Sequence, residues 1–120
     1  MGQLHIRHTE AEIQAAIVLL LRLKYKALVA ITDAGVTHRY AARYWPGERS
    51  RGSGMPAGWP DLVVLLPDGR FFGIEVKAEK GRQSKAQKLM QQQFEDLGHT
   101  YILARSVDDV IDAMENGNGN

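Results

Sequence analysis

A chain of 120 residues is long enough to bury one hydrophobic core and too short for two independent ones. With 44% hydrophobic and 24% charged residues it has the composition of a folded globular domain, which argues against disorder. It has no cysteine, so disulfides, thiolate-bound zinc and iron–sulfur clusters are excluded and any metal must use oxygen or imidazole ligands, while a net charge of +1 does not by itself suggest a nucleic-acid partner.

The charges are segregated along the chain. Arg39, Arg43, Arg49 and Arg51 fall in one stretch, Lys77, Lys80, Arg82, Lys85 and Lys88 in another, and Asp108, Asp109, Asp112 and Glu115 gather near the end. The longest apolar run, Ala15 to Leu21, is far short of the roughly 20 residues that span a bilayer, so no membrane partner is expected. Glu10 and Glu12 stand where an export signal would have its apolar core, which makes the cytoplasm the expected location. One domain is expected over residues 1–115, with residues 116–120 a frayed Asn/Gly tail.

In chain order, Thr9 can cap a helix whose apolar positions Ile13, Ala16, Ile17, Leu20, Leu21 and Leu23 follow helical spacing, with Glu10 and Glu12 favourable in its first turn. Leu28 to Thr32 reads as a short strand ended by Asp33-Ala34-Gly35. From Val36 to Trp59 no period persists, and Gly, Pro, Ser and Arg recur among Tyr40, Tyr44 and Trp45. The expectation is a long binding loop. Asp61 to Leu66, the turn Pro67-Asp68-Gly69, and Phe71 to Lys77 predict an antiparallel hairpin. Ser84 opens a helix carrying Leu89, Met90, Phe94 and Leu97 that Gly98 ends, Thr100 to Ala104 is a last strand, and Ser106 caps a short helix through Val107, Val110, Ile111 and Met114. The predicted order is α-β-β-β-α-β-α, an α/β sandwich with a mixed central sheet flanked by helices.

Antiparallel pairing of the hairpin brings Asp61 at the head of one strand near Glu75 and Lys77 at the foot of the other. Strand alternation points Glu75 and Lys77 to one face and Val76 to the core. Two neighbouring carboxylates repel unless a cation lies between them or one is protonated, and hard oxygen ligands suit Mg²⁺ or Mn²⁺. Such an ion can bind a phosphate oxygen and acidify a water, and a lysine ammonium can orient that water or offset developing negative charge. The trio therefore reads as phosphodiester-hydrolysis chemistry.

At these residues the sequence resembles the PD-(D/E)XK nuclease superfamily and, within it, the virus-type replication-repair nuclease (VRR-NUC) branch. The likeness rests on Glu10-Ala11-Glu12-Ile13-Gln14, Gly58-Trp59-Pro60-Asp61, Gly73-Ile74-Glu75-Val76-Lys77, Gly81-Arg82-Gln83-Ser84-Lys85-Ala86-Gln87 and Gly98, and spans nearly the whole chain. It implies a restriction-endonuclease-like fold in which Asp61 and Glu75 ligate Mg²⁺, for which Mn²⁺ can substitute. It also implies Lys77 as the catalytic lysine and the Val76 carbonyl as a further ligand. Glu10 resembles the family's helix glutamate, reaching the metal directly or through water. Glu12, two positions on, faces another side of the helix, and Glu10 is preferred because it shares a face with Ile13, Gln14 and Ile17. For a compact single domain the resemblance further implies a homodimer that cuts branched DNA such as four-way junctions. The Arg- and aromatic-rich loop before Pro60 departs from the family pattern.

Plainer readings stand beside these. Gln87 fits both a catalytic position and a capping box with Ser84. Lys80, Arg82, Lys85 and Lys88 could merely solvate a helix face, but phosphate contact is the better reading because they follow the proposed site directly, and Arg39, Arg43, Arg49 and Arg51 are read the same way. Tyr40, Tyr44 and Trp45 could stack on unpaired bases, pack a dimer interface or anchor the loop. His5 and His8 have a metal-like spacing without further ligands, and His38 and His99 form no constellation. A catalytically silent DNA-binding module of the same fold is the competing functional reading, and a protein-binding scaffold is a third.

Overall fold

The computed structural model describes residues 7–32 and 55–116. The basic positions Arg39, Arg43, Arg49 and Arg51, the aromatics Tyr40, Tyr44 and Trp45, His5, His38 and most of the predicted tail lie outside the described residues. Three helices and four strands follow in the predicted order: α1 (Glu10–Lys24), β1 (Leu28–Ile31), β2 (Leu62–Leu65), β3 (Phe71–Val76), α2 (Lys85–Asp96), β4 (Thr100–Ala104) and α3 (Val107–Glu115). They form one sheet in the order β1-β2-β3-β4, with the first two pairings antiparallel and β3–β4 parallel. Parallel strands need a long crossover, and α2 supplies it.

Each helix begins where its sequence can satisfy the first free amides. Thr9 and Glu12 form a reciprocal capping box on α1, Ser84 and Gln87 do the same on α2, and the Ser106 side chain accepts from the Asp109 amide on α3. The hairpin turn closes through Gly69, whose φ of +94° suits the left-handed position that only glycine adopts without strain.

The sheet buries its two faces unequally. On one side α1 and α3 cover Val29, Leu62, Val64, Phe72, Ile74, Val76 and Ala104 with Ile13, Ile17, Val18, Leu21, Val110 and Met114, a continuous apolar core. Each of these side chains larger than alanine contributes roughly 1.5–3 kcal/mol on burial. On the other side α2 lays Met90 and Phe94 against Tyr101, with Trp59 and Phe71 at the margin.

Some expected details are corrected by this packing. Leu23 is 64% exposed and Ala16 is exposed, while Val18 is buried, because α3 packs on α1 beside the sheet and turns the buried stripe toward Val18. Leu89 (56% exposed) and Leu97 (76%) are not core residues, since α2 is a single helix over one half of the sheet and only its Met90–Phe94 stripe reaches it. The strands are also shorter by a residue at several ends: Asp61 precedes β2 and Lys77 follows β3, although the Thr32 amide still bonds the Asp61 carbonyl (3.0 Å) and the Lys77 amide the Ala104 carbonyl (3.0 Å). Asp61 and Lys77 thus sit just beyond the regular ladder. No helix among the described residues is long and apolar enough to cross a membrane.

Candidate active site

The register pairs Leu62 with Ile74, so the residue before β2 and the last residues of β3 arrive at the same end of the sheet. There the Asp61 carboxylate accepts the Val76 amide proton at 2.7 Å, fastening the head of one strand to the foot of the other. The first turns of α1 and α2 open toward this end. Together they border an open cavity of about 470 Å³ whose lining includes Glu10, Asp61, Lys77, Ser84 and Gln87 as well as Trp59.

Glu75 lies beneath this cavity and is 0% exposed, a residue type rarely buried without a partner. Its Oε1 accepts two hydrogen bonds, from the Tyr101 hydroxyl (2.8 Å) and the Gln83 side-chain amide (3.1 Å). Its Oε2 is fully buried and accepts none, and the Lys77 ammonium stands 3.7 Å away. Lys77 is itself held close, with only 16% of its side chain exposed. Glu75 and Lys77 are thus not a solvated surface ion pair.

The electrostatics follow from this crowding. Burial pushes the Asp61 carboxyl above its usual range against the Val76 hydrogen bond, and the charges of Glu75 and Glu10 push in the same direction as burial, with Lys77 opposing them. Burial, then the hydrogen bond to Glu75, holds the Tyr101 hydroxyl far above its ordinary value, so it remains a proton donor.

The two helix glutamates separate cleanly. Glu12 closes the α1 capping box by accepting the Thr9 amide at 2.8 Å, with His8 3.9 Å away, and the Thr9 bonds hold its carboxyl below the usual range. Glu10 lines the cavity. Gln87 closes the capping box, its Oε1 accepting the Ser84 amide (2.8 Å), and the residue also lines the cavity. Lys80, Arg82, Lys85 and Lys88 are all exposed on the segment that leaves β3 and starts α2, beside the cavity rather than in it.

Among the described residues no three carboxylate or imidazole side chains close into a cage that would hold a metal unaided. What converges is an open set: Asp61 and Glu75, the main chain at Val76, and Glu10 across the cavity. Mg²⁺ retains several waters and takes one or two carboxylates, so an open set with a buried carboxylate oxygen that accepts no hydrogen bond fits it.

Residues that periodicity did not single out complete the architecture. Tyr101 reaches Glu75 because β4 pairs in parallel with β3, placing both on the α2 face. Gln83, within the Gly81–Gln87 motif, donates its side-chain amide to Glu75 from just before α2. Arg105, just past β4, donates through Nη1 to the carbonyls of Ala78 (3.0 Å), Glu79 (3.3 Å) and Gly81, tying down the loop between Lys77 and Gln83. Gly58 and Gly73 permit close approach: a Cβ on Gly73 would stand 2.5 Å from Pro60 Cγ, and one on Gly58 2.3 Å from the Ala86 carbonyl oxygen.

A mixed sheet flanked by helices, with two carboxylates and a lysine gathered at the end of its central hairpin, defines a nuclease-type α/β domain. The family model of the VRR-NUC domain matches residues 8–108, and the chain belongs to that family. Two solved structures agree in fold. One, described as "VRR_NUC domain", is 21% identical with a TM-score of 0.63, over 90% of this chain and 97% of its own. The other, described as "VRR_NUC domain protein", is 20% identical with a TM-score of 0.63, over 92% of this chain and 88% of its own. No match was found among curated proteins.

Proposed function

We propose that this VRR-NUC domain is a Mg²⁺-dependent DNA endonuclease, with Mn²⁺ able to substitute, acting as a homodimer on branched DNA such as four-way junctions. The observation that carries the reading is Glu75: a fully buried carboxylate with one oxygen that accepts no hydrogen bond and faces only the Lys77 ammonium at 3.7 Å, next to the desolvated Asp61. Three neighbouring carboxylates that one ammonium offsets only in part cost folding energy, an arrangement expected where a further cation belongs.

In this reading Asp61, Glu75 and the Val76 carbonyl hold the ion, and Glu10 reaches it directly or through water. When bound, the ion supplies Lewis-acid stabilisation of phosphate charge and acidifies a water. The Lys77 ammonium orients the attacking water and offsets the negative charge that grows on the phosphate. Gln87 hydrogen-bonds the substrate from the α2 terminus. Exposed Lys80, Arg82, Lys85 and Lys88 bind flanking phosphates, as Arg39, Arg43, Arg49 and Arg51 do from the preceding segment. The branched substrate and the dimer rest on family likeness, and the exposed cross-strand pair Leu28 and Leu65 offers apolar surface for self-association.

The test is cleavage of linear, flap and four-way-junction DNA by purified protein with Mg²⁺, Mn²⁺ or chelator, alongside Asp61→Asn, Glu75→Gln and Lys77→Ala, with sedimentation for the oligomeric state. Cleavage that needs the metal and is abolished in all three variants supports the reading. DNA binding without metal-dependent cleavage by the wild type would replace it with the silent binding module, and undiminished cutting by the variants would remove the site.

A further inference from the structure

The hydrogen bonds around Glu75 are distributed unevenly over its two oxygens. A carboxylate oxygen offers about two lone-pair directions. At Oε1 both are taken, by the Tyr101 hydroxyl at 2.8 Å and by Gln83 Nε2 at 3.1 Å. At Oε2 neither is taken. The donors are themselves constrained. Gln83 spends its other amide proton on Gln91 Oε1 at 2.9 Å, and Gln91 donates onward to Glu95 at 3.2 Å, so the chain of amides fixes which end of Gln83 faces Glu75. The Tyr101 hydroxyl is also 3.2 Å from the Gly58 carbonyl, which ties it to the segment leading to Asp61.

From this we infer that Tyr101 and Gln83 are positioning residues that saturate Oε1 of Glu75 and present Oε2 alone, making Glu75 a one-oxygen ligand and biasing the site toward small octahedral cations over Ca²⁺. The inference rests on the metal-dependent reading above and adds to it the origin of cation selectivity. Ca²⁺ accepts six to eight oxygens and commonly takes a carboxylate through both, whereas Mg²⁺ requires a compact octahedron that one oxygen per carboxylate satisfies. A Glu75 that cannot turn its second oxygen to the ion therefore withholds a contact that Ca²⁺ would use. Neither Tyr101 nor Gln83 lines the cavity, so both act through Glu75 and not on DNA.

The experiment is titration calorimetry of the full chain with Mn²⁺ and, separately, Ca²⁺, for wild type, Tyr101→Phe, Gln83→Leu and the double variant, with circular dichroism as the check of folding. Loss of an outer hydrogen bond to a metal ligand typically changes affinity by 10–100-fold. The ratio of Mn²⁺ to Ca²⁺ affinity is expected to fall about tenfold in each single variant and further in the double, with kcat on DNA reduced and KM unchanged. Gln83 is partly exposed, so Gln83→Leu decides the matter if Tyr101→Phe does not fold. A folded Gln83→Leu whose affinity ratio equals that of the wild type overturns the inference while leaving the nuclease reading intact. A wild type that binds neither ion overturns both.

Discussion

Gly58→Ala is the substitution whose outcome the structure defines most sharply. Gly58 has φ of +81°, and a Cβ built on it would fall 2.3 Å from the Ala86 carbonyl oxygen, 2.6 Å from the Ala86 carbonyl carbon and 2.9 Å from the Gln87 amide nitrogen. These are main-chain atoms in the first turn of α2, which cannot move aside like the end of a flexible side chain. The left-handed conformation alone costs an alanine roughly 1 kcal/mol, and forcing a methyl into a closed contact adds about 1–3 kcal/mol. A total near 3 kcal/mol lowers Tm by roughly 12 °C for a domain of this size. Gly69→Ala provides the internal control, because Gly69 has φ of +94° with nothing within 4 Å of its virtual Cβ. It should cost only the conformational part, about 1 kcal/mol. Urea denaturation of both variants measures the difference. The same clash displaces Ser84 and Gln87 from the cavity wall, so DNA cleavage by Gly58→Ala should fall more than its folded fraction does, whereas Gly69→Ala, at the far hairpin turn, should cut normally. If the two variants were equally stable, the proposed close packing of the Gly58 segment on α2 would be wrong.

Asp61→Asn should raise the Tm of the metal-free protein while removing its response to Mn²⁺, because the amide keeps an acceptor for the Val76 N–H and relieves the repulsion from Glu75 and Glu10; a lower Tm without metal would contradict this. Neutralising Arg82, Lys85 or Lys88 should weaken DNA binding alike for all sequences and lower the slope of log affinity against log salt by roughly 0.9 each, which fluorescence anisotropy at several salt concentrations would show. Tyr25 donates to Glu115 at 2.6 Å, and burial with that bond pushes its hydroxyl up to about 12 while the bond holds Glu115 below the usual range. A raised folded-state value means that its contribution is complete below the ordinary tyrosine range near 10 and is lost as pH rises through about 12. Spectrophotometric titration should therefore lose a late-ionising tyrosine in Tyr25→Phe.

Much of the fold was written in local pattern. Thr9, Ser84 and Ser106 announced the helix starts, Pro67-Asp68-Gly69 the hairpin, and Asp61, Glu75 and Lys77 the end of the hairpin at which charged side chains gather, because caps, turns and strand alternation depend on neighbours a few residues apart. The depth of Glu75 was not legible. Its burial comes from α2 crossing over β3 and β4, and its partner Tyr101 is 26 residues away, brought near only by parallel pairing. For the same reason the helix face favoured Glu10 over Glu12 without giving either a partner, and those came only when the Thr9 cap engaged Glu12 and the cavity formed beside Glu10. Leu23, Leu89 and Leu97 had the right residue type for a core, but which stripe of a helix is buried depends on the number of elements packed against it. The sequence by itself determined which elements form and which side chains can bear charge at the hairpin's end. Tertiary structure alone decided which of those charges lost their water, since desolvation is a property of everything that packs around a group and not of the group's place in the chain.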